Sequence, residues 1–283
     1  MHIITCLRAT SGTCGMGNRG FFSATRCLRP TKCGYDPDGN LTSLQTIPQV
    51  DCFGYDVLDR LTQDTVLTAF GASCPPSTPG ITYTYDANGN RLSKTTGTTT
   101  IPYAYVPDSN RLTGVGGSAV NINKIGDITA NPQGQSFAYD AAGRLIQVTS
   151  AYGVLGEYSY DAHNRRANKF SANGSTWYHY DAQGHLIEET HADGTLVRDY
   201  VWADNTPIAM ITKDPTTGTE TVTYLHTDYD NTPRLATNPS GTILWRWEGV
   251  FGNTPLGPPS PVDVTLRYPG QTYDSETGPC CLT

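Results

Sequence analysis

Three histidines in the middle of the chain are the residues whose type and spacing come nearest to a metal site. His179, His185 and His191 recur at intervals of six residues, and Asp193 follows the last of them. Imidazole nitrogens together with a carboxylate oxygen suit a transition metal. However, His179 lies in a strand pattern while the other two lie beside turns, and no compact ligand motif is present. We therefore predict no metal-binding and no cofactor-binding residues in this chain.

Eight cysteines raise the questions of a disulfide framework and of a zinc site. They stand towards the two ends of the chain, with none between residues 75 and 279. A disulfide-stapled fold spreads its cysteines through the framework, and zinc knuckles need shorter gaps than these. We expect both ends to be atypical sequence outside the main fold, and neither a metal nor a redox site. The residues are Cys6, Cys14, Cys27, Cys33, Cys52, Cys74, Cys280 and Cys281.

Motifs for nucleophilic, phosphate-binding and metalloprotease chemistry are absent from the sequence. It contains no Gly-x-Ser-x-Gly elbow, no Walker loop and no His-Glu-x-x-His helix. Two of the 26 acidic residues could serve as acid and base only if burial separated their pKa values. Aspartate instead recurs at one turn position, which favours turn capping. We therefore predict no catalytic residues and no enzymatic activity.

Composition and charge argue against two classes of partner. The net charge is −7, and no basic stripe that could neutralise nucleic-acid phosphates is present. No run approaches the roughly 18 apolar residues of a membrane-spanning helix. The N-terminal residues lack the apolar stretch of a secretion signal. We expect no nucleic-acid partner, no membrane span and no signal peptide in this chain.

A tyrosine–aspartate motif recurs along the chain. In each copy an aromatic residue, one variable residue, Tyr and Asp follow one another. From Tyr35 to Tyr180 the motif tyrosines are separated by 20, 30, 20, 34, 21 and 20 positions, which indicates a short unit with longer insertions. The full copies are Phe53–Asp56, Tyr83–Asp86, Phe137–Asp140, Tyr158–Asp161 and Tyr178–Asp181, and looser copies occur at Tyr35–Asp36 and Tyr103–Tyr105.

Each copy has the pattern of a strand, a tight turn and a second strand. The alternation of the two aromatic residues places both rings on one face of a strand. Asp suits the first position of a type I turn, and Gly three residues later suits the left-handed conformation that follows. Asp86–Gly89 shows this pattern, and Asn90-Arg91-Leu92 then begins the returning strand. The sequence therefore predicts an all-β fold of repeated hairpins with bulged turns.

The aromatic rings have two possible roles. A single hairpin cannot bury its aromatic face alone, so stacked hairpins would join their rings into one core. Exposed, coplanar rings would instead form a platform for carbohydrate stacking. We favour the core for Tyr85, Tyr139, Tyr160 and Tyr180. The Gly-rich segment 114–117 and the Pro-rich segment 74–80 are interpreted as loops between units.

The repeats resemble the YD repeats of bacterial Rhs proteins, of insecticidal toxin-complex C components and of animal teneurins. The family motif Tyr-Asp-x-x-Gly-(Asn)-(Arg)-Leu stands here at residues 85–92 and 139–145. Segments of the last third, including Leu266–Gln271 and Tyr273–Gly278, look like the end of the Rhs core. The resemblance covers residues 35–278. It implies a spiralling β-sheet that forms a hollow shell around a C-terminal polymorphic toxin, delivered by a secretion machine.

The resemblance also sets the expected domain organisation. Residues 1–34 would be an atypical, poorly ordered segment containing cysteines, residues 35–278 the repeat region, and residues 279–283 a divergent tail. The self-cleavage motif and the toxin that follow in the family are absent from this sequence. We therefore expect a C-terminal core fragment, a truncated piece of a longer Rhs gene.

The expected function is structural: a shell segment that encloses or presents a toxin domain absent from this chain. Its expected partners are that toxin or the remaining shell, and secretion-system components. The chain would be secreted or on the cell surface as part of a larger Rhs protein. The alternatives are a carbohydrate-binding repeat module of the cell surface and a truncated fragment without function.

Overall fold

The computed structural model describes residues 32–46, 49–67, 73–74, 80–227, 231–247 and 261–276. These residues form strands and turns and contain no helix, which confirms the all-β prediction. The described residues therefore include no helix that could cross a membrane. The chain divides into two compact units, Met1–Ala119 and Val120–Thr283. The predicted tail 279–283 and residues 1–31 of the predicted N-terminal segment lie outside the described residues.

The first unit contains one antiparallel sheet of nine strands in sequential order. Each strand pairs with the strands before and after it in the chain, as expected for a row of hairpins. The strands are β1 (Lys32–Tyr35), β2 (Leu41–Thr46), β3 (Gln49–Tyr55), β4 (Leu61–Leu67), β5 (Ile81–Tyr85), β6 (Arg91–Thr96), β7 (Thr99–Tyr105), β8 (Leu112–Val115) and β9 (Ser118–Ala119).

The second unit contains a sheet of thirteen strands with the same sequential, antiparallel order. Its strands are β10 (Asn121–Ile122), β11 (Ile128–Ala130), β12 (Ser136–Tyr139), β13 (Leu145–Ser150), β14 (Gly153–Tyr160), β15 (Arg166–Ser171), β16 (Gly174–Tyr180), β17 (Leu186–His191), β18 (Leu196–Ala203), β19 (Thr206–Lys213), β20 (Glu220–Thr227), β21 (Pro233–Thr237) and β22 (Ile243–Arg246).

The motif turns have the predicted geometry. In the β5–β6 hairpin the Gly89 amide donates to the Asp86 carbonyl at 3.2 Å, and the Asp86 amide donates to the Asn90 carbonyl at 2.9 Å. Gly89 has a φ of +85°, the left-handed conformation that glycine adopts without strain. The pairing shifts by one residue between Thr84 and Tyr85, so a β-bulge accompanies the turn. The bulged hairpin turn is therefore confirmed.

The long interval between Tyr105 and Tyr139 contains turns that sequence reasoning missed. Asn123 and Asn131 each begin a turn of the motif type, closed by hydrogen bonds from Gly126 and Gly134 to their carbonyls at 3.2 and 3.1 Å. Asn replaces Asp because its side-chain oxygen accepts the same backbone N–H groups. The part of the interval that belongs to the second unit therefore consists of short hairpins, from β10 to β12, and is not one long insertion.

The predicted loop at residues 114–117 needs correction. Gly114 and Val115 are the last two residues of strand β8. Gly116 and Gly117 form the tight turn to β9, with φ values of +62° and +83°. A β-strand tolerates glycine where a neighbouring side chain approaches closely, and Cβ of Ala104 lies 3.3 Å from where a Cβ of Gly114 would stand. Of the other predicted loop, residues 75–79 lie outside the described part.

Within the described residues the cysteine prediction is wrong at three positions, since Cys33 lies in strand β1 and Cys52 and Cys74 are bonded to each other. Cys52 and Cys74 form a disulfide with a Cα–Cα distance of 5.4 Å. Cys52 lies in strand β3 and is buried, so it belongs to the main fold. Sequence spacing did not reveal the pair because the two cysteines are 22 positions apart and match no short disulfide or metal-binding motif. The disulfide links Cys74, which lies between β4 and β5 in the sequence, to strand β3.

The disulfide should stabilise the first unit. Closing a loop between cysteines 22 positions apart restricts the unfolded chain and contributes about 3 kcal/mol. We predict that the double variant Cys52→Ala/Cys74→Ala lowers the free energy of unfolding of the first unit by about this amount. Hydrogen exchange of the β3 amides in increasing urea measures it.

The second unit is an internal control for this measurement. All four tryptophans, Trp177, Trp202, Trp245 and Trp247, lie in that unit, so tryptophan fluorescence follows its unfolding separately. This transition should be unchanged in the double variant. An equal stability of β3 in the oxidised wild-type chain and in the double variant would contradict a stabilising disulfide.

Candidate functional site

The motif tyrosines lie on one face of each sheet, here called the tyrosine face. The leading aromatic residue of a motif is buried in the cases of Tyr83, Phe137 and Tyr158. The second ring, as in Tyr85 or Tyr160, is partly buried because its hydroxyl end reaches towards the preceding hairpin. These five rings therefore pack within the protein, as the core interpretation predicts, and are not open to stacking by a sugar.

In five motif copies the second ring binds the hairpin before it through its hydroxyl group. The Tyr160 hydroxyl donates to the Leu145 carbonyl at 2.7 Å, and Leu145 pairs with Tyr139, the preceding motif tyrosine. Burial raises the pKa of Tyr180 to about 12, so such a hydroxyl keeps its proton and its donor role. The same bond joins Tyr85 to Leu61, Tyr105 to Arg91, Tyr139 to Ile128 and Tyr180 to Arg166, and the Trp202 indole N–H to Leu186.

A cation covers the same ring from the preceding turn. The guanidinium carbon of Arg144 lies 5.0 Å from the ring centre of Tyr160, and that of Arg165 lies 4.7 Å from the ring centre of Tyr180. Such contacts contribute about 0.5–1 kcal/mol at exposed sites and more where water is excluded. In the next repeat His185 replaces arginine and stacks on Trp202 at 4.5 Å.

The turn aspartates hold these cations in place. Oδ2 of Asp140 accepts a hydrogen bond from Nε of Arg144 at 2.7 Å, while Oδ1 accepts from the Ala142 and Arg144 amides. The side-chain hydrogen bond from Arg144, followed by the backbone ones, lowers the pKa of Asp140 below its ordinary value of 3.8. This stabilisation is present above that pH and is lost as the pH falls below it. The aspartates are turn caps and orienting groups.

The three histidines do not converge on a common point. His185 lies between Asp181 and Asn205, with ring-nitrogen distances of 2.8 and 2.9 Å. The ring of His179 contacts the Thr190 hydroxyl at 3.0 Å, and His191 is exposed at the start of a turn with Asp193. Within the described ranges no three His, Cys, Asp or Glu side chains could hold a metal ion.

A segment that follows the last strand crosses the tyrosine face of the second unit. Residues 261–276, here called the strap, bury Val264 and Leu266 in the core cluster formed by residues such as Tyr200 and Met210. The Thr265 hydroxyl lies 2.6 Å from the Tyr200 hydroxyl. The strap folds back on itself, since Leu266 and Thr272 form an antiparallel bridge.

The end of the strap is anchored by a buried charge cluster. Asp274 is 1% exposed, and its Oδ1 accepts a hydrogen bond from Nη1 of Arg166 at 2.7 Å. Nζ of Lys169 lies 3.4 Å from the same oxygen and 3.2 Å from Oε1 of Glu276. Burial alone would lower the pKa of Arg166, but the Asp274 carboxylate raises it above the usual range. These contacts pair two cations with two carboxylates.

Gly156 makes room for the anchor. A Cβ at this position would lie 2.7 Å from the Tyr158 hydroxyl oxygen and 3.3 Å from Cγ of Glu276. Any larger residue would therefore displace the strap or the Tyr158 ring. Sequence reasoning did not find the anchor, because Arg166 and Asp274 are 108 positions apart and their types alone do not indicate a pair. The sequence pointed to this part of the chain only through the resemblance of Tyr273–Gly278 to the end of the Rhs core.

The fold and this polar network define the class: an all-β repeat protein whose charged and aromatic groups hold hairpins together. The chain belongs to the teneurin YD-shell family, because the family model matches residues 77–278, most of its length. The match extends from the first unit through the strap.

Two curated relatives share part of the sequence. One is the tRNA3(Ser)-specific nuclease WapA of Bacillus spizizenii, 28% identical over 207 residues. The other is the tRNA nuclease WapA of Bacillus subtilis, 26% identical over 206 residues. Each alignment covers 70% of this chain and 9% of the relative. The chain thus corresponds to a small fraction of these proteins.

Solved structures with the same fold belong to toxin complexes. The Photorhabdus luminescens Tc holotoxin pore, with TccC3, matches 87% of this chain and 14% of the other chain, with a TM-score of 0.62 and 17% identity. A TcdB2-TccC3-TEV crystal structure matches the same shares with a TM-score of 0.58 and 16% identity. These likenesses establish the fold of the chain.

The ion pairs of Asp274 should contribute strongly to the free energy of unfolding of the second unit. Asp274→Asn leaves Arg166 buried without its carboxylate, which costs about 3–5 kcal/mol when a buried pair loses one partner. Asp263→Asn is the matched control, since the Asp263 side chain is 66% exposed at 3.6 Å from Arg198 and should cost under about 1 kcal/mol. Urea unfolding followed by tryptophan fluorescence measures both. Equal effects of the two substitutions would contradict the anchor.

Proposed function

We propose that this chain is a wall segment of an Rhs-type shell that encloses or presents a toxin domain. The observation that carries the proposal is the course of the strap. After the last strand the polypeptide returns across the tyrosine face and is held there by Asp274 and Glu276. A downstream domain would thus be led along one face of the sheet, as enclosure requires.

The toxin partner is supported by the named relatives. Two are tRNA nucleases, and the structures that share the fold come from a Tc toxin. Because the chain matches 9% of the nucleases, we assign the toxic activity to sequence outside this chain. The toxin, the remaining shell and secretion-system components are the proposed partners.

A structural role without catalysis agrees with the chemistry of the polar groups. The turn aspartates bind backbone amides and arginines, and the buried carboxylate of Asp274 binds Arg166 and Lys169. These groups are engaged in holding the fold, which leaves them unsuited to act as acid, base or nucleophile. We therefore propose that the chain is not an enzyme.

Export as part of a larger protein is supported by the Cys52–Cys74 disulfide. Structural disulfides persist in oxidising compartments and are rare in the bacterial cytosol. The carbohydrate alternative is not favoured, because the motif rings pack against neighbouring hairpins and donate their hydroxyls to backbone carbonyls.

Enclosure can be tested with a protease-sensitive reporter domain fused to the chain. A reporter fused after Thr283 should be cleaved more slowly than the same reporter fused before Met1, because the strap leads the former along the sheet. Gel analysis of a protease time course measures the two rates. The reporter fused before Met1 is the matched control for the intrinsic sensitivity of the domain. Equal cleavage rates would contradict enclosure.

A further inference from the structure

The first unit contains a second copy of the pocket that binds the strap carboxylates. In the second unit Tyr158 pairs with Lys169, and Tyr160 pairs with Arg166. In the first unit Tyr83 pairs with Lys94, and Tyr85 pairs with Arg91, in the same register with the same bulge. The two hairpins therefore present the same four residue types at equivalent places.

The stacking contacts are repeated as well. The Arg166 guanidinium lies 4.5 Å from the Tyr158 ring centre and 5.9 Å from that of Tyr178. The Arg91 guanidinium lies 5.8 Å from the Tyr83 ring centre and 4.3 Å from that of Tyr103. In both units an arginine is thus held between two tyrosines, one from each neighbouring strand.

The combination is specific to these two hairpins among the full motif copies. At the positions six and nine residues after the second motif tyrosine, the other copies carry a leucine followed by a different residue. The pairs are Leu61 with Asp64, Leu145 with Val148 and Leu186 with Glu189. Arg and Lys together are therefore not a requirement of the hairpin itself.

The two pockets differ in how they are covered. Arg166 is buried beneath the strap, and Lys169 contacts two carboxylates. Arg91 and Lys94 are partly exposed. Lys94 forms no ion pair with any residue in the described ranges, unlike Lys169.

We propose that Tyr83, Arg91, Lys94 and Tyr103 form a second anchor, which binds the aspartate side chain of an extended segment from another polypeptide. The strap supplies the precedent for this ligand, since Asp274 occupies the equivalent place against Arg166 and Lys169. A carboxylate matches the charge of Lys94, and the tyrosine rings exclude water around it, which strengthens the contact.

Two neighbouring residues define how the ligand differs from the strap. Ile81 stands where Gly156 stands in the second unit, because Ile81 pairs with Asp64 as Gly156 pairs with Val148. Since a Cβ at Gly156 would already lie 3.3 Å from Cγ of Glu276, the Ile81 side chain leaves less room at the equivalent place for a second carboxylate. Asp64, in the place of Val148, adds one negative charge beside Tyr83. The second anchor therefore takes one carboxylate where the first takes two.

Binding can be measured on the full chain with a labelled peptide. The probe has the sequence of residues 271–278 with Glu276 replaced by glutamine, and its control peptide also has Asp274 replaced by asparagine. Fluorescence anisotropy should show saturable binding of the probe and none of the control peptide. Lys94→Gln should weaken binding about tenfold, as expected for a charged hydrogen bond.

Lys213→Gln is the matched protein control, since Lys213 is an exposed lysine on strand β19. It should leave binding unchanged, and both variants should keep the wild-type melting temperature. Absence of saturable binding at millimolar peptide, equal binding of the asparagine peptide, or full binding by Lys94→Gln would each overturn the proposal. The second anchor does not depend on toxin enclosure, so failure of this test would leave the reporter experiment unaffected.

Discussion

The contact between one motif tyrosine and the hairpin before it is the interaction on which the structure depends. The Tyr160 hydroxyl binds the Leu145 carbonyl, and Arg144 covers the same ring. Both partners belong to the preceding repeat, so a hairpin completes its own packing only when a neighbour is present. Stability in such an array comes from the interfaces between neighbours more than from the single unit. This explains why the sheet continues strand by strand over each unit without a crossover.

Each residue of the motif has a physical reason within that interaction. Asp caps the turn and fixes the following cation, and Gly supplies the left-handed conformation that the turn requires. The cation covers the next ring, and the bulge places the carbonyl that the next hydroxyl reaches. Where other residue types replace the arginine and the tyrosine, the same two contacts are still made. His185 stacks on Trp202, and the Trp202 N–H donates to a carbonyl in place of the tyrosine hydroxyl. Asn123 and Asn131 replace the turn aspartate in the same way.

The sequence was sufficient to predict what depends on near neighbours. Alternation placed Tyr83 and Tyr85 on one face, and the spacing of Asp86 and Gly89 predicted their turn, because these contacts span only a few residues. The strap anchor could not be found in this way, since Arg166 and Asp274 meet only after more than a hundred residues have folded. The Cys52–Cys74 disulfide and the asparagine turns were missed for related reasons. The disulfide joins cysteines that are 22 positions apart and match no motif. The turns at Asn123 and Asn131 lack the tyrosine that marks the motif.

The charge cluster at Asp274 shows that the tyrosine face of the second unit also binds a segment of chain outside the sheet. The central claim, that the tyrosine hydroxyl joins successive hairpins, is tested most directly by comparing Tyr160→Phe with Tyr152→Phe in urea unfolding followed by tryptophan fluorescence. Tyr152 is fully exposed at a hairpin tip and should tolerate the loss of its hydroxyl. Tyr160→Phe should lower the free energy of unfolding by about 1 kcal/mol or more, because the Leu145 carbonyl loses its donor. An unchanged stability of Tyr160→Phe would contradict the account.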